Sequence, residues 1–291
     1  MSAELLKGNA VANAMKRALA ERAAALAASG AAPKLAIVRV GEKPEDLAYE
    51  RSAVKRCEGL GVACEVRAFS RDIPNGEFLD AFRAVNEDRS VHSVLVFSPL
   101  PGGIDAAAVK AAIDPAKDVD CMCPANVAKL FSGDASGHAP CTPSAVMELL
   151  RHFGIAVSGR RVVVVGRSLV VGKPLAMLLL AEHATLTVCH TRTRDLASEC
   201  RRADILIAAA GKAKMIGGDY IKPGATVIDV GINADENGGI CGDVDADAAG
   251  PIAAALTPVP GGVGAVTTSI LARNTLDACE RIAFTNRKNL I

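Results

Sequence analysis

The stretch VVVVGRSLVVGKP, Val162 to Pro174, decides how this chain folds. Four β-branched residues run straight into a turn that holds Gly166 and Gly172, and an apolar helix follows from Leu175 to Ala181. Strand, glycine turn and helix in that order build a phosphate-binding site from backbone N–H groups. The stretch therefore predicts a nucleotide cofactor at the carboxyl end of a parallel strand.

Its surroundings sharpen the cofactor. G-R-S-x-x-x-G is not the usual G-x-G-x-x-G, so the glycines alone say little. The next strand, Ala184 to Cys189, ends at His190 and runs into Thr191, Arg192, Thr193 and Arg194. An NAD site places Asp or Glu near this point to hold the ribose 2′-hydroxyl. Hydroxyls and guanidinium groups stand here instead, with Arg167 in the turn, which favours the 2′-phosphate of NADP over NAD. The alternative is that Arg192 and Arg194 belong to a solvated loop. Two further strand ends carry glycine, Ala210-Gly211 and Asp229-Val230-Gly231-Ile232-Asn233, where a cofactor can approach the backbone. The run Thr257 to Gly264, TPVPGGVG, has two prolines to fix it and three glycines to expose backbone groups, a loop suited to a flat polar heterocycle.

Strands and helices alternate along the rest of the chain. Strands are expected at Lys34–Val40, Ala63–Phe69 and Val91–Phe97, with helices over 48–60 and 76–86 between them. That βαβαβ order implies a parallel sheet covered by helices. The Pro-, Gly- and Asp-rich residues 113–143 read as a loop region and domain junction. A helix over 144–153 then leads into a second set of short apolar strands, at 161–165, 184–189, 205–209 and 226–230, as expected where both faces are buried. A last helix, 269–284, is expected to return to the first domain. The fold class is thus α/β with two parallel-sheet domains.

Composition limits the functional classes. The chain has 291 residues, half of them hydrophobic, enough for a sizeable core. Its 33 basic and 32 acidic residues nearly cancel, which argues against nucleic acid or a membrane surface as partner. With Glu4 near the start and no long apolar run, neither a signal peptide nor a spanning helix is expected, and the reading is cytoplasmic. Nine scattered cysteines suit reduced thiols better than a disulfide framework. Cys121 and Cys123 read as ordinary residues, and His92, His138, His152 and His183 lack ligand spacing, so no metal is expected. Asp243 and Asp245 in GDVD either face the site or cap a helix.

Together these segments resemble the methylenetetrahydrofolate dehydrogenase/cyclohydrolase family, often called FolD. The matching pieces are PCTP at 140–143, the 162–174 run, VCHTRT at 188–193, AAAGK at 208–212, VIDVGIN at 227–233, GDVD at 242–245 and TPVPGGVGAVT at 257–267, joined by KDVD at 117–120 and SPLP at 98–101. The resemblance implies a folate-binding catalytic domain, residues 1–140 plus 270–291, a Rossmann-type NADP domain, residues 141–269, a deep cleft between them, and a homodimer. It implies hydride transfer from 5,10-methylene-tetrahydrofolate to NADP, followed in most members by hydration of the methenyl product. By motif match, Tyr49 packs on the folate, Asp120 bonds the pterin, and Pro260, Gly261, Gly262 and Val263 line the substrate site. Thr142, Gly166, Arg167, Ser168, Gly172 and Pro174 would contact NADP from the first turn, and His190, Thr191, Arg192, Gly211, Gly231 and Ile232 from the later strand ends.

The chain departs from the family at one place that matters. The family helix carries Y-x-x-x-K, but here Ala53 stands four residues after Tyr49. Lys55 does not replace the lysine, because i and i+6 differ by about 240° around a helix where i and i+4 differ by about 40°. Phe97 replaces the glutamine of Q-L-P-L-P. Cys121 replaces a glycine after KDVD, and Ala265 a proline in GGVGP. Hydride transfer needs chiefly position and electrostatics around the cofactor, whereas hydrolysis needs a proton carrier. Three readings follow: a dehydrogenase with impaired cyclohydrolase; a bifunctional enzyme with Arg56, Ser98 or Cys121 as stand-in; or a homologue that binds an altered ligand without turnover.

Overall fold

The computed structural model describes residues 2–235 and 238–288. In chain order the elements are β1 (Glu4–Leu5), α1 (Gly8–Ala28), β2 (Lys34–Val40), α2 (Pro44–Glu58), β3 (Ala63–Phe69), α3 (Asn75–Glu87), β4 (Ser93–Val96), α4 (Ala106–Ala112), α5 (Pro124–Ser132), α6 (Cys141–His152), β5 (Arg161–Val165), α7 (Gly172–Ala181), β6 (Thr185–Cys189), α8 (Leu196–Cys200), β7 (Ile205–Ala208), β8 (Thr226–Asp229), β9 (Asn233–Ala234), β10 (Ile240–Cys241), α9 (Ala246–Ala249), β11 (Ala255–Leu256) and α10 (Val263–Lys288). They fall into two compact units. One holds Met15–Cys141 with the helix residues from Thr268 on, and the other holds the residues up to Ala14 with Thr142–Thr267.

The first unit is built on a parallel sheet in the order β3-β2-β4. Leu35, Ala36, Ile37 and Val38 of the central strand are fully buried, as an uninterrupted apolar strand with both faces covered should be. Phe78, Phe82 and Val85 recur at helical spacing on α3 and close one face with Val94, Val96, Val109 and Ile113. Each phenylalanine ring is fully buried and contributes about 1.5–3 kcal/mol. Helix α2 buries Ala53 and Cys57, one turn apart, and leaves Lys55 exposed. Its Glu50 accepts from Arg39 Nε at 2.8 Å, a mostly buried ion pair that fixes the helix against β2.

Two helices break the expected loop at 113–143 and its approach. Helix α4 is capped by Asp105, which accepts from the Ala107 and Ala108 amides. Helix α5 opens with Cys123 and Pro124 and closes at Gly133 in the left-handed region. The buried Asp118 carboxylate takes up the Met122 and Cys123 amides, so the Pro- and Asp-rich composition marks helix starts as well as turns. Strand β4 is shorter than the expected 91–97, and the last helix begins at Val263 rather than Ser269.

The second unit carries six parallel strands ordered β1-β11-β8-β7-β5-β6. Val162, Val163, Val164 and Val165 are at most 2% exposed, which is why this segment could only be a central strand. From β5 the chain moves outward to β6, then returns to the other side of β5 as β7. That reversal is a topological switch point, where ligands enter outside the carboxyl ends of the strands.

The expected domain of residues 1–140 needs correction at its start. Glu4 and Leu5 pair with Ala255 and Leu256, and Leu6 N–H donates to Leu256 O, so the residues up to Ala14 join the second sheet. A two-residue strand has no periodicity from which to read this. No helix among the described residues is long and apolar enough to cross a membrane.

Candidate active site

The residues singled out in the sequence fall into two groups, one in each unit. In the first, Tyr49 projects from α2 and Phe97 from the end of β4. Their rings meet edge to face, 5.8 Å between centroids and 64° apart. Asp120 follows the buried segment 117–119, and its Oδ1 accepts the Cys141 N–H at 2.7 Å. Burial raises the Tyr49 phenol well above its ordinary value, and the nearby Cys141 and Asp120 add to the rise. The phenol is therefore a neutral donor at physiological pH. Burial also raises Asp120, opposed by the Cys141 N–H. Tyr49 and Asp120, singled out separately in the sequence, thus share one site.

Ala53, one turn beyond Tyr49 on the same helix, is fully buried and offers only a methyl group. Of the proposed stand-ins, Ser98 is exposed at the loop after β4 and Arg56 is half-buried on α2. Cys121 is buried with its backbone at φ +56°, left-handed where the family uses glycine. Burial pushes its thiol up to about 12, so it is a poor proton carrier near neutrality. One amine reaches this region that the sequence did not suggest: Lys43, just before α2, donates from Nζ to Pro99 O at 3.2 Å. Its only sequence signal is the neighbouring Pro44.

In the second unit the 162–174 run forms strand, turn and helix. Gly166 leaves β5 at φ +134°, and a Cβ there would lie 2.1 Å from Ala209 O at the end of β7. Gly172 is as tightly placed, since a Cβ on it would lie 2.1 Å from Gly166 O. Ser168 Oγ accepts the Val171 N–H at 3.0 Å and ties the turn to the helix start, with Pro174 buried in the first turn of α7. Arg167 is exposed in the turn. Beside it, at the end of β6, His190 Nδ1 accepts the Arg192 N–H at 3.0 Å and Thr193 Oγ1 accepts the His190 N–H at 2.8 Å, which leaves Thr191 and Arg192 exposed. These donors, with no carboxylate at the strand end, fit a phosphorylated ribose. Thr142 enters from a different element, the first turn of α6.

The loops after β7, β8 and β11 belong to the same unit. Ile232 is exposed at the end of β8, and its Cδ1 lies 3.8 Å from where a Cβ on Gly264 would be. The loop at Pro260–Gly262 is backed by Gly8, a residue that the sequence did not single out. Gly8 N–H donates to Gly261 O at 2.8 Å, and a Cβ on Gly8 would lie 1.9 Å from Gly262 O. Val263 is buried as the first residue of α10. No group of three or more potential metal-ligating side chains occurs among the described residues.

Asp229 and Asp243, both buried, brace these loops; Asp245 instead caps α9. Asp229 accepts N–H groups from Gly231 (2.9 Å), Asp243 (3.0 Å) and Val244 (2.9 Å). Burial nevertheless raises it to about 6, helped by the adjacent Asp243 charge. The folded value lies above the unfolded one, so the proton bound to Asp229 stabilises the fold at low pH. That contribution is full below about pH 4 and is lost as pH rises through about 6, a change of about 3 kcal/mol. Denaturant titrations of Asp229→Asn against the parent, at pH 4 and pH 8, should show their stability difference shifting by about this amount in favour of the variant at pH 8. A difference independent of pH would contradict the assignment.

Residues 6–120 match the family model for the tetrahydrofolate dehydrogenase/cyclohydrolase catalytic domain, and residues 140–283 match the model for its NAD(P)-binding domain. The chain belongs to the tetrahydrofolate dehydrogenase/cyclohydrolase family. It is 50% identical over 280 residues to the bifunctional protein FolD of Carboxydothermus hydrogenoformans, covering 96% of this chain and 98% of that protein. Among solved structures, the bifunctional FolD of Campylobacter jejuni superposes with a TM-score of 0.93 at 39% identity, over 96% of this chain and 99% of that one. The Trypanosoma brucei FolD, solved with NADP cofactor and inhibitor, gives a TM-score of 0.91 at 39% identity, over 97% and 98% of the two chains. The switch point thus lies in the family's NAD(P)-binding domain, and Tyr49, Phe97 and Asp120 lie in its catalytic domain.

Proposed function

We propose that this family member is an NADP-dependent 5,10-methylene-tetrahydrofolate dehydrogenase whose methenyl-tetrahydrofolate cyclohydrolase step is weak or lost. The observation that carries the reading is the buried methyl group of Ala53 beside the Tyr49–Phe97 ring pair, in place of lysine and glutamine. Bound NADP would supply the hydride acceptor. The chain's own contribution is to hold the folate against Tyr49, bond it through Asp120, and present no amine from α2 that could shuttle a proton to or from the methenyl bridge. A buried lysine can do that work with a lowered pKa; a methyl group and a phenyl ring cannot. NADP over NAD is supported by the exposed Arg167 and Arg192 and by the absence of a carboxylate at the end of β6. The NADP bound by the T. brucei relative supports the same choice.

A second reading, full bifunctionality, is favoured by the Lys43 amine on the loop that follows Phe97. One assay separates the two. Purified protein receives 5,10-methylene-tetrahydrofolate and NADP, and reduced nicotinamide and methenyl absorbance are followed together. We expect methenyl to accumulate and decay at the buffer's own rate. Enzyme-accelerated decay that Lys43→Met abolishes would establish the second reading, and no nicotinamide reduction would refute both. A homodimer is also proposed, since β3 leaves one edge of its sheet unpaired among the described residues; sedimentation giving a monomer mass would refute it.

A further inference from the structure

Three consecutive amides in the NAD(P)-binding unit converge on one carboxylate. Asp243 is fully buried two residues after β10. Its Oδ2 accepts N–H groups from Ala210 at 2.6 Å and Gly211 at 3.0 Å, and its Oδ1 accepts from Lys212 N–H and Asn233 Nδ2, both at 2.9 Å. Gly211 is left-handed, φ +66°, so the amides of 210–212 curl around a single point. Successive N–H groups arranged this way form an anion-binding nest. Gly231 completes the arrangement: a Cβ on it would lie 2.3 Å from Asp243 Oδ1. A nest at the end of β7, beside the switch point, is where a ligand's phosphate would be expected, yet the anion in it belongs to the protein.

We propose that Asp243 is a positioning residue of the nucleotide site, a built-in anion that fills the nest at 210–212. It fixes the loops after β7 and β8 against each other before the cofactor arrives. It also withdraws their N–H groups from competition for phosphate, and so leaves phosphate recognition to the turn between Gly166 and Gly172. Preorganisation of this kind lowers the ordering cost of binding. The proposal rests on the NADP reading above only for the identity of the ligand.

The experiment uses the full chain with Asp243→Asn, Asp243→Ala and Asn233→Ala, and sodium acetate as the probe anion. Asp243→Asn should raise the KM for NADP about tenfold while kcat and the KM for the folate stay within about threefold. Asp243→Ala should lose more, and acetate should lower its KM for NADP and raise its melting temperature while changing neither in the parent. Asn233→Ala, which removes one donor and keeps the carboxylate, should show a smaller rise in the same KM. An unchanged KM for NADP in Asn233→Ala and Asp243→Asn, or a drop in kcat and both KM values alike, would overturn the assignment. So would acetate that leaves Asp243→Ala unaffected. Should the Asp243 variants not fold, Asn233→Ala decides the matter. If the parent binds no nicotinamide cofactor, the NADP reading fails, and the acetate-dependent melting of Asp243→Ala still decides whether the nest is filled by its own anion.

Discussion

Placing lysine at position 53 together with glutamine at position 97 should accelerate methenyl-tetrahydrofolate hydrolysis about 10²- to 10⁴-fold over the parent, the usual worth of a positioned proton carrier. The surroundings favour the amine. Asp120 is a carboxylate whose pKa is raised by burial, beside a phenol in the same condition, and a neighbouring ammonium would offset that penalty by charge attraction. Phe97 must change too, because it stands where the resemblance places the glutamine that accompanies the lysine, and its ring packs against Tyr49. Ala53→Lys alone should therefore give a smaller gain and a larger loss of melting temperature, since it inserts a charge into a fully buried position. Stopped-flow decay of preformed methenyl-tetrahydrofolate measures this directly. A double variant that hydrolyses it no faster than the parent would show that the lost pair is not what limits the second step.

Gly166→Ala should weaken NADP binding by at least about a hundredfold, near 2.7 kcal/mol. The new methyl group would lie 2.1 Å from Ala209 O, between two backbones with no flexible end to yield, at a φ of +134° that side chains rarely adopt. The strand ends on the two sides of the switch point must then separate. Gly224→Ala is the control. It is also left-handed, φ +79°, with nothing within 4 Å of the new atom, so it should cost about 1 kcal/mol of stability and leave NADP affinity within about twofold. Calorimetric titration of both variants tests the pair; equal affinities would mean that close approach at Gly166 does not shape the site.

Local pattern carried much of the architecture. The valine run, the glycine turn and the bare end of β6 lie in contiguous residues whose chemistry is self-evident, so the parallel sheet and the nucleotide turn could be read directly. Tyr49 and Asp120 came from motif match, and the structure supplied what sequence cannot, their proximity in space. What escaped reading was tertiary. Helices α4 and α5 are too short for periodicity and are specified by the caps Asp105 and Cys123. Asp243 was left between a site and a cap because its four donors come from residues 10 to 33 positions away. Gly8 carries no local signal, since its need for a bare α-carbon comes from a carbonyl at residue 262.

The strand at Glu4–Leu5 gives the chain an unusual timetable. Its hydrogen-bonding partners, Ala255 and Leu256, leave the ribosome about 250 residues later, a wait on the order of ten to fifty seconds at ordinary translation speeds. Throughout that interval the opening segment has no sheet to join, and Gly8 has no loop to press against. Translation thus delivers the brace of the Pro260–Gly262 loop early and the loop itself late, so this wall of the site is finished only after residue 262 has been made.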